Sequence, residues 1–370
     1  MRPTTAYVDL AALRSNVQAI RQRVGAERQI MGVVKANAYG HGLVRVAQEL
    51  LRCGCDQLGV AFLEEGITLR RAGVTAPILV LGGIIGNQVQ HFIEHELMIT
   101  ASSVFKLGQI EDMAERLGRR AKVHLKIDTG MERIGTHWDT AQALFEAAVA
   151  AKHCDVEGVF SHFAQSDAED HSYTNLQRER FEECLHFFEA RGLPTPPRHM
   201  ANSGAILQHP DSFYELVRPG IMLYGVYPNL GIPKTVTLRP VLSLQTRVVY
   251  FKVVRSGCPV SYDSTWAPTM DTRVVTLPVG YGDGYSRLLS DKAQVLIHGR
   301  RFPVVGRITM DAMMVNIGGD SAYNEDPVIL LGAQGEASIS AEEIAEWLGT
   351  IPYEVLTMIN TRVPRIYRNT

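Results

Sequence analysis

The sequence lacks long apolar runs and lacks an excess of either charge. Its longest apolar runs, such as 77–81 and 83–85, are far shorter than the ~20 residues that a membrane-spanning helix needs. The first residues also lack the apolar stretch of a signal peptide. With 37 Lys and Arg against 39 Asp and Glu, the net charge of -2 gives no long-range attraction to nucleic acid or to an anionic membrane. We therefore expect a small molecule or another protein chain as partner, and neither nucleic acid nor a membrane.

Cysteine is scarce as well. The chain has five cysteines, an odd number scattered over a large chain. Free thiols in a reducing compartment explain this usage better than a disulfide framework does, so we expect a cytoplasmic protein. Cys53 and Cys55 form a single C-x-C without a second pair, which we attribute to ordinary packing and not to a metal site.

The 370 residues exceed what one core usually holds, and the first two-thirds of the chain alternate short apolar strands with amphipathic helices. One such helix carries Leu10, Leu13, Val17 and Ile20 on one face, with Asp9 placed to cap it. Eight strands alternating with helices predict a (β/α)8 barrel of the TIM type, with a doubly wound open sheet as the alternative. The predicted strands are 30–35, 57–62, 77–82, 97–101, 123–128, 156–162, 198–201 and 216–223.

After about residue 230 the pattern changes to short strands separated by Gly, Pro and Asp turns, with one clear helix at 341–348. We therefore expect a barrel domain over residues 1–230 and a mostly β domain over residues 231–370, which the first few residues of the chain may join. The predicted strands here are 242–252, 273–279, 293–297, 302–305, 312–317 and 328–331.

Reactive residues follow the predicted barrel strands, where a barrel places its active site. Lys35 ends the first strand after two valines and precedes a Gly-rich turn. A lysine forced out of water loses basicity and can form a Schiff base, although a lone lysine at a strand end is more often a solvated charge.

These motifs resemble alanine racemase, a family with a barrel that binds pyridoxal 5′-phosphate (PLP) followed by a β domain. Nine segments match in order across nearly the whole chain. They are 33–42, 126–135, 161–164, 201–204, 218–221, 260–262, 280–285, 306–311 and 352–354.

The resemblance implies that Lys35 is the Schiff-base lysine and the base on one face of the substrate, and that Tyr262 is the base on the other. Racemisation needs a proton removed from one side of the α-carbon and returned to the other, and two opposed groups achieve this. Arg133 matches a residue that contacts this tyrosine and the substrate carboxylate. Lys126 matches a lysine that is carbamylated in many members, which we favour over the alternative of a simple ion pair with Asp128 or Glu132.

Arg218 matches the residue that faces the pyridine nitrogen of PLP. Because an arginine keeps its proton, that nitrogen should stay unprotonated, and transamination should be suppressed. His162 matches a neighbour of the ring and of Arg218, although a buried core histidine is a comparable explanation.

The resemblance also implies phosphate and substrate contacts. The expected phosphate contacts are Ser203, Gly220, Ile221, Tyr39 and Tyr353. The expected substrate and entrance contacts are Met310, Tyr281 and Asp311. In the family the β domain of a second subunit supplies the substrate and entrance contacts together with Tyr262. We therefore expect a homodimer with a shared site.

Two positions depart from the family pattern. Asp263 follows Tyr262 where the family usually has Gly, and Glu132 precedes Arg133 where Gly, Asn or Ser is commoner. Both add negative charge, one beside Tyr262 and the other beside Arg133. We expect these charges to affect the substrate range and pH optimum more than the reaction itself.

The expected function is interconversion of L- and D-alanine, supplying D-alanine for peptidoglycan. A broad-specificity or serine racemase, a barrel-fold amino-acid decarboxylase and a non-catalytic PLP-binding protein are the alternatives. Other motifs are weaker. The triplet 128–130 has no second copy to form an aspartic protease, 91–95 fits a zinc pattern without a third ligand, and 280–284 lacks the spacing of a dinucleotide loop.

Overall fold

The chain begins with a short strand and continues into a nearly closed barrel of parallel strands. The computed structural model describes residues 2–369. Its first ten strands are β1 Thr5–Asp9, β2 Gln29–Val33, β3 Gln57–Val60, β4 Ile78–Val80, β5 Met98–Ala101, β6 Ala121–Asp128, β7 Thr136–His137, β8 Cys154–Phe160, β9 Arg198–His199 and β10 Leu216–Val217. The barrel order is β10-β2-β3-β4-β5-β6-β8-β9. A hydrogen bond from the Arg218 N–H to the Ala201 carbonyl, 2.8 Å long, draws the two ends of the sheet together.

The barrel prediction is confirmed, and the open-sheet alternative is wrong. All eight predicted strands occur in the predicted order, but several end early. The first ends at Val33 because residues 36–39 turn into left-handed backbone, and the last covers only Leu216–Val217 because a helical turn follows at Ile221–Tyr224.

Helices connect the barrel strands and cover the outside of the barrel. They are Leu10–Val24, Leu43–Arg52, Leu63–Arg71, Val89–Glu94, Val104–Arg116, Ala141–Ala150, Ser172–Ala190 and Ser203–Gln208. The first begins as predicted, since the Asp9 carboxylate accepts the N–H groups of Ala11 and Ala12 at 2.9 and 3.1 Å. Its predicted apolar face is buried. In residues 2–369 no helix is long and apolar enough to cross a membrane.

The second domain is mostly β, as predicted. Its strands are β11 Leu242–Arg247, β12 Tyr250–Val254, β13 Thr272–Leu277, β14 Gln294–Ile297, β15 Arg300–Val305, β16 Met313–Gly318, β17 Pro327–Gln334, β18 Ala337–Ile339 and β19 Arg365–Arg368. β1 joins this sheet between β11 and β19. The helices are Ala341–Leu348, as predicted, and Pro352–Met358, which the sequence analysis missed.

One strand prediction in this domain is wrong. Residues 242–252 form two strands, β11 and β12, that lie far apart in the sheet order. The break falls at Val248 and Val249, two β-branched residues without any turn signal. The sequence therefore does not indicate that one strand ends and another begins there. Buried apolar side chains of both domains belong to one continuous cluster, which joins the barrel firmly to the β domain.

Candidate active site

The carboxyl ends of the barrel strands enclose a cavity of about 180 Å³. This is the end at which barrels carry their active sites. The structure brings ten predicted residues to its lining. They are Lys35, Tyr39, Lys126, Arg133, His162, Ser203, Arg218, Gly220, Ile221 and Tyr353.

Lys35 is presented by an unusual backbone turn. The four residues that follow it, Ala36–Tyr39, all have φ between +51° and +56°. Left-handed backbone costs a residue with a side chain roughly 1–2 kcal/mol, so the surroundings must hold this turn. Glu65 does so in part, because its carboxylate accepts the N–H of Ala36 at 2.7 Å and that of Ala61 at 2.7 Å.

The electrostatic surroundings of Lys35 favour the neutral amine. Burial lowers the pKa of Lys35, and the cationic Arg133 and Arg218 lower it further, while Glu65 acts in the opposite direction. A lysine with a lowered pKa carries a larger fraction of neutral amine, which is the nucleophilic and basic form.

Lys126 lies deeper in the barrel and is only 4% exposed. Its Nζ donates to the carbonyl of Ile127 at 3.0 Å and lies 5.1 Å from the ring centre of Phe160. Burial, assisted by the charge of Arg218, lowers the pKa of Lys126 to about 7. Within residues 2–369 no salt bridge joins this amine to a carboxylate, but Asp128 is near enough for its charge to raise the pKa of Lys126 against the effect of burial.

Asp128 organises the loop that presents Arg133. Its Oδ1 accepts the backbone N–H groups of residues 130, 131 and 132 at 2.8–3.2 Å, and its Oδ2 accepts that of Arg133 at 3.2 Å. Burial alone would raise the pKa of Asp128, but these N–H groups and the nearby Lys126 bring it below its ordinary value. Glu132 in this loop has φ +54°, a left-handed conformation that Gly or Asn adopts more readily than Glu does.

Arg218 is fixed from behind by four acceptors. Nη2 reaches the carbonyls of Ser161 and Met200 at 2.8 and 3.2 Å and Nδ1 of His162 at 3.1 Å. Nη1 reaches Nδ1 of His199 at 2.9 Å. Burial lowers the pKa of Arg218 to about 9, which still leaves the guanidinium charged at neutral pH.

His162 is a neutral hydrogen-bond acceptor for the guanidinium of Arg218. Burial and the charge of Arg218 hold its pKa well below the ordinary value. Its ring contacts the guanidinium of Arg218 directly.

The part of the cavity around Ser203 is lined by hydrogen-bonding groups suited to a phosphate. The Gly220 N–H donates to the Ser203 hydroxyl oxygen at 2.9 Å, and the phenols of Tyr39 and Tyr353 line the same cavity. A Cβ on Gly220 would lie 2.5 Å from Oη of Tyr39, so any larger residue at this position would displace the tyrosine.

The donor set as a whole fits PLP. Hydroxyl, phenol and backbone N–H groups suit its phosphate, the fixed guanidinium of Arg218 suits its ring nitrogen, and the amine of Lys35 suits its aldehyde.

The remaining predicted residues lie elsewhere. Within residues 2–369, Tyr262, Tyr281, Met310 and Asp311 do not line the cavity around Lys35. They lie on the β domain with exposed side chains, and Tyr262 is 70% exposed. A single chain therefore holds only one part of the predicted site.

The segment around Tyr262 is also held in left-handed backbone. Asp263 has φ +60°, the region that favours the glycine usual in the family. Its carboxylate pairs with Arg287 at 2.9 Å and Arg307 at 3.1 Å. The extra negative charge is therefore balanced by two arginines.

Sequence reasoning missed several residues that build this site, namely Glu65, Phe160, His199 and His124. Glu65 carries a local signal, since it lies in the first turn of the helix that follows β3. The two histidines carry none, because an isolated buried histidine in a strand is indistinguishable from ordinary core.

Comparisons with known proteins agree with this geometry. The chain matches the family Alanine racemase, N-terminal domain, over residues 8–228, and Alanine racemase, C-terminal domain, over residues 241–367. It is 44% identical to alanine racemase of Desulforamulus reducens over 368 residues, covering 99% of both chains.

Solved structures give the same result. Alanine racemase of Clostridium difficile 630 has 39% identity and a TM-score of 0.93, covering 99% of this chain and 96% of that one. Alanine racemase from Bacillus anthracis with bound L-Ala-P has 37% identity and a TM-score of 0.93, covering 100% and 96%.

Proposed function

The chain belongs to the alanine racemase family and is an isomerase that interconverts L- and D-alanine; we propose that it does so with PLP held on Lys35 and with Tyr262 of a second subunit as the opposing base. The observation that carries the proposal is the gathering of Lys35, Arg218, Ser203 and Tyr39 in one cavity at the barrel mouth. The product D-alanine would serve peptidoglycan synthesis. The five free thiols fit a cytoplasmic enzyme.

The cofactor residues have separate tasks. When bound, PLP withdraws electrons from the α-carbon of the amino acid and so makes its proton acidic. Ser203, Tyr39 and Tyr353 would hold the phosphate through hydroxyl donors. Arg218 would direct a donor N–H at the ring nitrogen and keep that nitrogen unprotonated, because a guanidinium does not give up its proton.

Proton transfer belongs to Lys35 and Tyr262. The Lys35 amine takes or returns the α-proton on one face, and its lowered pKa increases the fraction of the basic form. The Tyr262 hydroxyl does the same on the opposite face. Arg133, presented at the cavity wall by the loop that Asp128 holds, would bind the substrate carboxylate.

The exposed position of Tyr262 supports a shared site in a homodimer. On the barrel, Phe62, Ile85, Val104 and Phe105 follow β3, β4 and β5 at the active-site end, and each is at least 45% exposed. Apolar side chains clustered at a cavity mouth are typical of an interface. A second copy that lays its β domain over this rim would cover them and bring Tyr262, Tyr281, Met310 and Asp311 to the cavity.

Lys126 is suited to carbamylation. Its neutral amine would attack carbon dioxide, forming a carbamate and releasing one proton. The new carboxylate would lie near the cationic Arg133 and Arg218, which favour a negative charge there.

The alternatives fit less well. In residues 2–369 no carboxylate pairs with Arg218, whereas a decarboxylase would be expected to place an acidic group at the ring nitrogen. A non-catalytic PLP-binding protein would not need the matched C-terminal domain that carries Tyr262.

A racemisation assay on Lys35→Ala tests the proposal. L-alanine and D-alanine are each supplied alone, and loss of circular dichroism is followed with time. Wild-type protein should bring both to the same optically inactive mixture, and Lys35→Ala should not. Unchanged turnover in Lys35→Ala, or no racemisation by wild type with PLP, would contradict it. L- and D-serine in the same assay would reveal a broad-specificity racemase.

A further inference from the structure

Behind Arg218 lies a chain of two buried histidines that the proposed reaction does not use. Nδ1 of His199 lies 2.9 Å from Nη1 of Arg218, and Nε2 of His199 lies 2.8 Å from Nδ1 of His124. His199 and His124 are 0% and 2% exposed. Nε2 of His124 ends the chain, buried and without a hydrogen-bond partner among residues 2–369.

The hydrogen-bonding capacity of each group fixes the position of every proton from Arg218 through His199 to His124. A guanidinium has donors only, so Nδ1 of His199 must accept. A neutral His199 then carries its proton on Nε2 and donates it to Nδ1 of His124. His124 in turn must carry its proton on Nε2. Burial and the charge of Arg218 lower the pKa of both histidines, to about 3 for His124, which agrees with two neutral rings.

The barrel is locally altered to seat His124. The pairing of β6 with β8 shifts register between Val123 and His124, so that His124 lies opposite Gly158. A Cβ on Gly158 would lie 2.6 Å from Nδ1 of His124. A register shift, a glycine and an unpaired buried donor all occur at one side chain. A histidine that merely filled the core would need none of them.

We propose that His124 is a positioning residue which, through His199, holds the guanidinium of Arg218 in one orientation while leaving its charge uncompensated. The inference rests on the proposed function, in which Arg218 faces the cofactor ring. A carboxylate behind Arg218 would also fix it but would neutralise it, and a charged imidazole would repel it. Two neutral imidazoles locked in the Nε2–H tautomer supply an acceptor without a charge.

The tautomers can be read directly. In the PLP-loaded enzyme labelled with ¹⁵N-histidine, long-range ¹H–¹⁵N spectra distinguish Nε2–H from Nδ1–H, with His199 and His124 assigned by single substitution. Both should be Nε2–H and neutral from pH 6 to 9. Either ring in the Nδ1–H form, or protonated in that range, would overturn the proposal. This result does not depend on whether alanine is the substrate.

A matched pair of variants tests the consequence. His124→Asn keeps an acceptor for the His199 N–H, and His124→Leu has nearly the same shape without one. Loosening Arg218 should raise half-transamination, in which the amino group passes to the cofactor and pyruvate is released. Pyruvate formed per racemisation should rise about tenfold in His124→Leu and stay within about twofold of wild type in His124→Asn.

Two results of the variant experiment would contradict the proposal. Equal pyruvate ratios in all three enzymes, or an equal rise in both variants, would overturn it. If His124→Leu does not fold, the tautomers of the wild-type enzyme decide alone. A wild-type enzyme that shows the predicted tautomers but no racemisation would refute the proposed function and not the hydrogen-bond chain.

Discussion

Gly220 and Tyr39 approach so closely that a Cβ built on Gly220 would lie 2.5 Å from Oη of Tyr39. Tyr39 is buried and packs against Tyr224 with ring centres 4.9 Å apart, so it cannot move aside freely. The contact joins the turn after Lys35 to the segment after β10, and therefore places two parts of the cavity around Lys35 relative to each other.

Gly220→Ala should weaken PLP binding and stability together. The added methyl displaces Tyr39, and overpacking of this kind costs roughly 1–3 kcal/mol. We expect PLP affinity, measured by titration of the apoenzyme, to fall at least about tenfold. Gly108→Ala is the control, since a Cβ there meets no atom within 4 Å and it lies in a helix. Equal PLP affinity in both variants would contradict this account of the cavity.

The buried amine of Lys126 predicts a specific pH dependence of stability. Its pKa is about 7 in the folded protein against an ordinary 10.5. Below pH 7 both states hold the proton, while between these values only the unfolded chain does, so stability rises with pH. Lys126→Met has no amine at this position and should lack this rise in stability.

Urea unfolding of the apoenzyme in buffers free of carbon dioxide measures how much the Lys126 amine contributes to this pH dependence. From pH 7 to 9 the wild type should gain on the order of 2 kcal/mol relative to Lys126→Met. Parallel stability curves for the two proteins would show that the amine keeps its proton in the fold.

Asp128 should matter for activity through Arg133 and not through its own contact with substrate. Asp128→Asn replaces an acceptor by an NH₂ group that faces backbone donors, which should cost about 1–3 kcal/mol of stability. KM for alanine should rise several-fold because Arg133 is no longer held at the cavity. Asp139→Asn, an exposed carboxylate on the following helical turn, should change neither stability nor KM.

The left-handed backbone at Asp263 predicts an order of stability. Asp263→Gly and Asp263→Ala lose the same ion pairs with Arg287 and Arg307, so their difference isolates the backbone term. The Gly variant should be more stable by roughly 1–2 kcal/mol. At Asp139, in an ordinary helical turn, the order should reverse. Thermal unfolding of the four variants provides the comparison.

The sequence predicted those parts of the fold that depend on periodicity and order. Buried parallel strands are near-continuous apolar runs, and eight of them in alternation with helices are enough to indicate a barrel. The missed helix Pro352–Met358 did carry a signal, a proline in its first turn.

Features that depend on distant contacts could not be predicted. Apart from Asn37, the composition of Ala36–Tyr39 does not indicate left-handed backbone, because its support comes from Glu65, some thirty residues further along the chain. The same holds for His124 and His199, which are 75 residues apart in sequence. Their hydrogen bond exists only once β8 has been placed between β6 and β9.

In the proposed dimer Lys35 and Tyr262 meet across two chains, and subunit mixing distinguishes this arrangement from a site within one chain. Lys35→Ala and Tyr262→Phe homodimers should each be nearly inactive. Unfolding them together and refolding in equal amounts should restore about a quarter of wild-type racemisation, because half of the dimers are mixed and each has one intact site. A mixture no more active than its separate components would contradict the shared site.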